Sequence, residues 1–89
     1  MNSEQIQNFL RKKTTPKSQY VKISFQKRDP IYGLFLTNEK DYEDLSTKNF
    51  WRIISRKDFD QYKKSGDVSL ARIFNGSQMT RLSLLTDEL

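Results

Sequence analysis

The sequence predicts a mainly β domain: a small five-stranded barrel with an N-terminal α-helix and a short helical insert before the last two strands. Three observations carry that prediction. Apolar and polar residues alternate with period two in several short runs, most clearly Val21, Ile23 and Phe25 against Lys22, Ser24 and Gln26. Gly33 interrupts the second run, and a glycine inside a strand marks a bend, a bulge or a close backbone approach. Short, bent strands favour closure, because a strongly curved sheet that closes on itself loses its exposed edges.

The elements follow in order. Asn2 or Ser3 can cap a helix over residues 3–13, with Gln5 placed to close a capping box with Asn2 and Glu4 complementing the helix dipole. Ile6, Phe9 and Leu10 form one apolar stripe, Arg11, Lys12 and Lys13 occupy the last turn, and Thr14-Thr15-Pro16 ends it. So short a helix is unstable alone and must dock its stripe on the barrel. From Tyr20 the stretch YVKISFQ reads as the first strand, Lys27-Arg28-Asp29-Pro30 as a turn, and IYGLFLTNEK as the second strand. Residues 38–49 are polar and largely acidic and read as a loop, after which NFWRIIS is the third strand. Ser55 can cap a short helix that carries Phe59 and Tyr62 and ends at Gly66. VSLARIFN and QMTRLSLL read as the last two strands, joined in a hairpin at Asn75-Gly76-Ser77. The chain is expected to be one domain over 1–89, with the barrel spanning 20–85.

Composition narrows the function. With neither cysteine nor histidine, disulfides, thiolate metal sites and the commonest general base are excluded. Asp41, Glu43 and Asp44 cluster in a loop, where nothing holds them in the shaped pocket that acid–base work needs. A non-enzymatic protein with no cofactor and no metal is expected. No run approaches the roughly 20 apolar residues of a membrane span, so no membrane partner and a cytoplasmic location are expected. The net charge is +5, and seven of the sixteen basic residues fall within residues 1–28 against the single acid Glu4. That imbalance suits an anionic partner such as RNA, although lysine and arginine also serve as ordinary solubilising residues.

The stretch VKISFQKRDPIYGLFLTNEKDYE, with Ile31, Gly33 and Phe35 spaced apolar-x-Gly-x-apolar, resembles the first motif of the Sm and Sm-like family of RNA-binding barrels. IFNGSQMTRLSL is similar to that family's second motif, in which an apolar strand runs into an Arg-Gly pair. The resemblance covers Val21 to Leu84, preceded by the helix the family also has. It implies an SH3-like barrel that binds RNA and assembles into rings through the last strands of neighbouring copies. The departures fall on the contact residues. Glu39 keeps an expected acid, but Glu43 stands where the family has a base-reading asparagine, and Asn75 stands where it has an arginine. A carboxylate only accepts hydrogen bonds when ionised, and an amide carries no charge. Inherited base recognition is therefore not expected.

The candidate nucleic-acid-binding residues are Arg11, Lys12, Lys13 and Lys17 for phosphate, with Asn75 and Gly76 at the turn. Asn75-Gly76-Ser77 reads first as a tight turn with positive φ, and a ligand-contacting role is the alternative. Trp51 reads as core before stacking platform. The alternative function is a protein–protein interaction module, using the acidic loop and the 56–66 insert. A homo-oligomer formed through undefended strand edges is a further expectation.

Overall fold

The computed structural model describes residues 1–14 and 20–84. They form a mixed α/β protein built on one five-stranded antiparallel sheet. The elements are α1 (Ser3–Lys13), β1 (Tyr20–Phe25), β2 (Ile31–Phe35), α2 (Tyr42–Thr47), β3 (Phe50–Ser55), α3 (Phe59–Ser65), β4 (Arg72–Asn75) and β5 (Met79–Leu84). The hydrogen-bonded order is β4-β3-β2-β1-β5. Two expectations change here. The sheet is not closed into a barrel: β4 pairs with β3, β5 pairs with β1, and no ladder joins β4 to β5 among the described residues. Helix is also more abundant than a mainly β fold implies, because α2 occupies the acidic stretch read as a loop.

The open sheet is nevertheless strongly curled. Strands lie about 4.8 Å apart, so a flat sheet would separate its two edges by about 19 Å. Yet the chain passes from β4 to β5 through a single 3₁₀ turn, Gly76–Gln78. Such a turn rises about 2 Å per residue, and even a fully extended link from Asn75 to Met79 reaches only about 14 Å. The sheet must therefore bend until its margins approach. Phe25 of β1 shows the result: its ring lies 5.9 Å from that of Phe74 in β4, although β2 and β3 intervene in the sheet. Gly33 permits part of this packing, since a Cβ there would meet Ile53 Cγ2 at 2.5 Å and the Ile54 carbonyl at 3.2 Å.

The concave face holds the main core: Val21, Ile23, Phe35, Trp51, Ile53, Met79 and Leu82, closed by Ile6 and Leu10 of α1. The helix forms as the sequence reads, with Asn2 accepting from the Gln5 amide while the Gln5 side chain accepts from the Asn2 amide. Trp51 is core, 2% exposed, with its indole N–H donating to Asn49 Oδ1 at 2.8 Å. The convex face is covered in part. Register aligns Tyr20, Leu34 and Ile54 across β1, β2 and β3, and Phe59 of α3 stacks on Tyr20 at 4.5 Å. That explains why Ile54 is fully buried although alternation points it away from Trp51 and Ile53. α3 ends at Gly66 in the left-handed region, φ 66°, where glycine carries no Cβ penalty.

The Asn75-Gly76 segment is not a hairpin turn. Gly76 does not adopt positive φ, and Asn75 is extended at φ −86°, ψ 118°, capping the 3₁₀ turn by accepting from the Ser77 amide. Glycine is required there by close approach instead. A Cβ on Gly76 would strike the Asn49 side chain and come within 2.6 Å of Ile6 Cδ1. The Gly76 amide donates to the Asn49 carbonyl at 2.8 Å, and Asn49 Nδ2 donates to the Met1 carbonyl at 2.9 Å. Asn49, at φ 65°, thus ties together the start of α1, the β4–β5 turn and Trp51.

Candidate nucleic-acid interface

In an antiparallel meander, the end of one strand and the start of the next lie at the same margin of the sheet. The segments after β1 and after β3, and the start of β4, therefore meet at one end. Their side chains are Lys27 and Arg28, Arg56 and Lys57, and Arg72. Two adjoining cavities open among them. The first, about 280 Å³, is lined by Phe25, Lys27, Arg28, Ile73, Phe74, Asn75 and Gln78. The second, about 290 Å³, shares Arg28 and Phe74 and adds Tyr32, Arg56, Lys57 and Arg72 among its walls. Among the described residues, no carboxylate lines either one. Asp29 and Asp58 lie nearby in the chain but do not reach the cavity walls, and Asp58 accepts from the Ser55 hydroxyl at 3.3 Å.

Arg28 is the shared wall. Its guanidinium carbon lies 5.3 Å from the Phe25 ring centroid and 5.7 Å from that of Phe74. Arg56 likewise lies over Tyr32, at 5.8 Å. Each such contact is worth roughly 0.5–1 kcal/mol at an exposed site, and it fixes where the cation sits. The one ion pair among the described residues is Arg52 with Asp41, at 2.5 Å, on a different part of the sheet. The convex face of β1 and β5 continues the positive surface with Lys22 and Arg81, Lys22 standing opposite Tyr32 and Arg81 opposite Ser24.

The segment at the opposite margin is itself acidic. The connection from β2 to β3 carries Glu39, Asp41, Glu43 and Asp44 against Lys40 and Lys48. Glu43 and Asp44 sit in the first turn of α2, where the helix dipole favours them.

The residues predicted from sequence are only partly brought together. Asn75 lines the first cavity, with Oδ1 accepting from both the amide and the hydroxyl of Ser77 at 2.9 Å. Gly76 is buried beneath the turn and offers no surface. Arg11, Lys12 and Lys13 are exposed but elsewhere, since α1 begins against Gly76 through Ile6 and runs away from it. Arg11 lines a separate cavity with Gln7, Leu10, Thr14, Thr37 and Tyr42. Burial pushes the Tyr42 phenol above its ordinary value, and the Arg11 charge partly opposes that shift. Lys17 lies outside the described residues.

Sequence alone does not single out Arg56, Lys57 and Arg72. The signal was present in the strand order, because each follows or opens a strand at the margin that Lys27 and Arg28 mark. Compared with family models, with curated proteins and with solved structures, the chain matches none.

Proposed function

We propose that the protein is a non-enzymatic RNA-binding module whose contact surface is the cationic margin of the sheet. The observation that carries this reading is the wall composition of the two adjoining cavities: Lys27, Arg28, Arg56, Lys57 and Arg72 with three aromatic rings and, among the described residues, no carboxylate. Cations that track a phosphate backbone, interleaved with aromatic side chains, are the general requirement for holding a nucleic-acid strand. Kinship with the Sm-like barrels is part of the proposal. It is supported by the N-terminal helix placed ahead of a curled five-stranded sheet whose second strand is closely approached at Gly33. The contact surface differs from the one the sequence favoured, since the helix cations and Asn75 do not share a face.

A titration of labelled U-rich and A-rich RNA at two salt concentrations tests the reading. Both sequences are expected to bind with similar affinity, weakening steeply as salt rises. Absence of binding to either at low salt would overturn it.

A second reading, a protein-interaction module, is favoured by one observation. Ile73 on the edge strand β4 is 51% exposed, and Phe50 beside it on β3 is 37% exposed. The surfaces the sequence nominated for that role are partly committed to the fold: Asp41 pairs with Arg52, and α3 covers the convex face over Tyr20.

A further inference from the structure

Resting on the RNA-binding reading, we propose that the two cavities take the two halves of one nucleotide. An unstacked base sits in the cavity walled by Phe25, Ile73 and Phe74, and its phosphate lies in the cavity walled by Arg56, Lys57 and Arg72. Arg28 stands between them. The two cavities are similar in size but differ in chemistry. Beyond Arg28, the first has three apolar side chains, two side-chain amides, Asn75 and Gln78, and one cation, Lys27; the second has three cations beside its apolar residues. At about 280 Å³ the first is slightly below the range of drug-sized sites, which suits a single planar ring system.

Arg28 is suited to both neighbours. Two phenylalanine rings lie against its guanidinium, and among the described residues no carboxylate pairs with it. A cation fixed in this way loses little freedom on binding. Guanidinium presents a flat face for a base and a fork of donors for a phosphate, which an ammonium cannot do. Asn75 adds direction. Both hydrogen bonds from Ser77 fall on Oδ1, which orients the amide and leaves Nδ2 to donate toward a base carbonyl or ring nitrogen. Ile73, half in solvent, is the apolar surface the base would cover.

This arrangement demands a single strand, because a base stacked within a duplex cannot enter the cavity. The test uses the intact chain and three fluorescein-labelled probes at low salt: a ten-nucleotide RNA, the same backbone with abasic residues, and the corresponding duplex. The RNA is expected to bind about tenfold or more tightly than the abasic strand and the duplex, in line with the stacking contribution of a single base. Arg28→Lys, which keeps the charge but removes the plane and the fork, is expected to weaken binding of the RNA several-fold and that of the abasic strand, whose phosphate keeps a cation, by less. Ile73→Ser, a surface change that spares the core, is expected to weaken binding of the RNA several-fold and leave the abasic strand unchanged. Equal affinity for the RNA and the abasic strand would overturn the base-seating proposal while leaving phosphate binding in place. Failure of all three probes to bind would overturn both.

Discussion

Replacing Gly76 with alanine probes the junction on which the whole architecture turns. Because Gly76 does not use positive φ, alanine introduces no backbone strain, and the effect comes entirely from the added methyl group. That methyl would collide with the Asn49 side chain and lie 2.6 Å from Ile6 Cδ1. Overpacking of this kind costs roughly 1–3 kcal/mol. If Asn49 swings away to relieve it, the Trp51 indole N–H loses its acceptor inside the core. A buried donor left unpaired costs about 1–3 kcal/mol more. The expected loss is therefore about 2–5 kcal/mol, a large part of the roughly 5–15 kcal/mol that holds a domain of this size. Urea unfolding followed by Trp51 fluorescence reads it directly, and the melting temperature should fall by more than about 10 °C. Gly66→Ala is the control, since nothing lies within 4 Å of a Cβ there and only the left-handed φ of 66° is penalised, by about 1–2 kcal/mol. A Gly76→Ala protein within 1 kcal/mol of the parent would refute the close-approach explanation.

Further perturbations separate the remaining interactions. Asn75→Ala removes the cap of the Gly76–Gln78 turn and should cost about 0.5–2 kcal/mol in thermal unfolding, whatever it does to binding. Hydrogen bonds from the Ser69 hydroxyl and amide hold the Asp67 carboxyl below its ordinary value of 3.8. The stability this contributes is fully present above that value and is lost as pH falls through the lowered one. Asp67→Asn should thus be less stable than the parent at neutral pH and converge with it in acid, as followed by thermal melts across that range. Asp41→Asn, which breaks a pair of partly exposed groups, should change stability by less than about 1 kcal/mol. Both β4 and β5 present an unpaired edge among the described residues, so self-association is expected. Light scattering that finds a strict monomer at high micromolar concentration would remove the ring model.

The parts of the fold that could be read from sequence are those governed by local periodicity. The capping box of Asn2 and Gln5, the alternation through β1 and β3 and the Gly66 cap each follow from neighbours within a few residues. The misreadings arose where a distant contact decided the outcome. Asn75-Gly76 carries the chemistry of a hairpin, yet Gly76 is small because Asn49 and Ile6 press on it from far along the chain. The α2 stretch reads as a loop because acids dominate it, and in the structure its N-terminus has no side-chain cap. Its Tyr42, which lies 6.0 Å from the ring of Trp51, becomes meaningful only in three dimensions. VSLARIFN looked like a long strand, but Val68–Leu70 forms a 3₁₀ turn capped by Asp67, leaving only four residues to pair with β3. The site was half legible. Lys27 and Arg28 were counted as charge, but their convergence with Arg56, Lys57 and Arg72 depends on strand order, and Arg28's position on two phenylalanine rings depends on the curl of the sheet.

The central claim, that RNA binds at the cationic margin of the sheet, is tested most directly by the salt dependence of binding in two triple variants. One neutralises the margin (Arg56→Gln, Lys57→Gln, Arg72→Gln), and the other neutralises the helix end (Arg11→Gln, Lys12→Gln, Lys13→Gln). Each phosphate contact on a single strand contributes about 0.7 to the slope of log affinity against log salt. The margin variant should therefore reduce the magnitude of that slope by about 2, while the helix variant leaves it near that of the parent. The reverse pattern, with the slope falling only when the helix end is neutralised, would contradict the account and return the interface to α1.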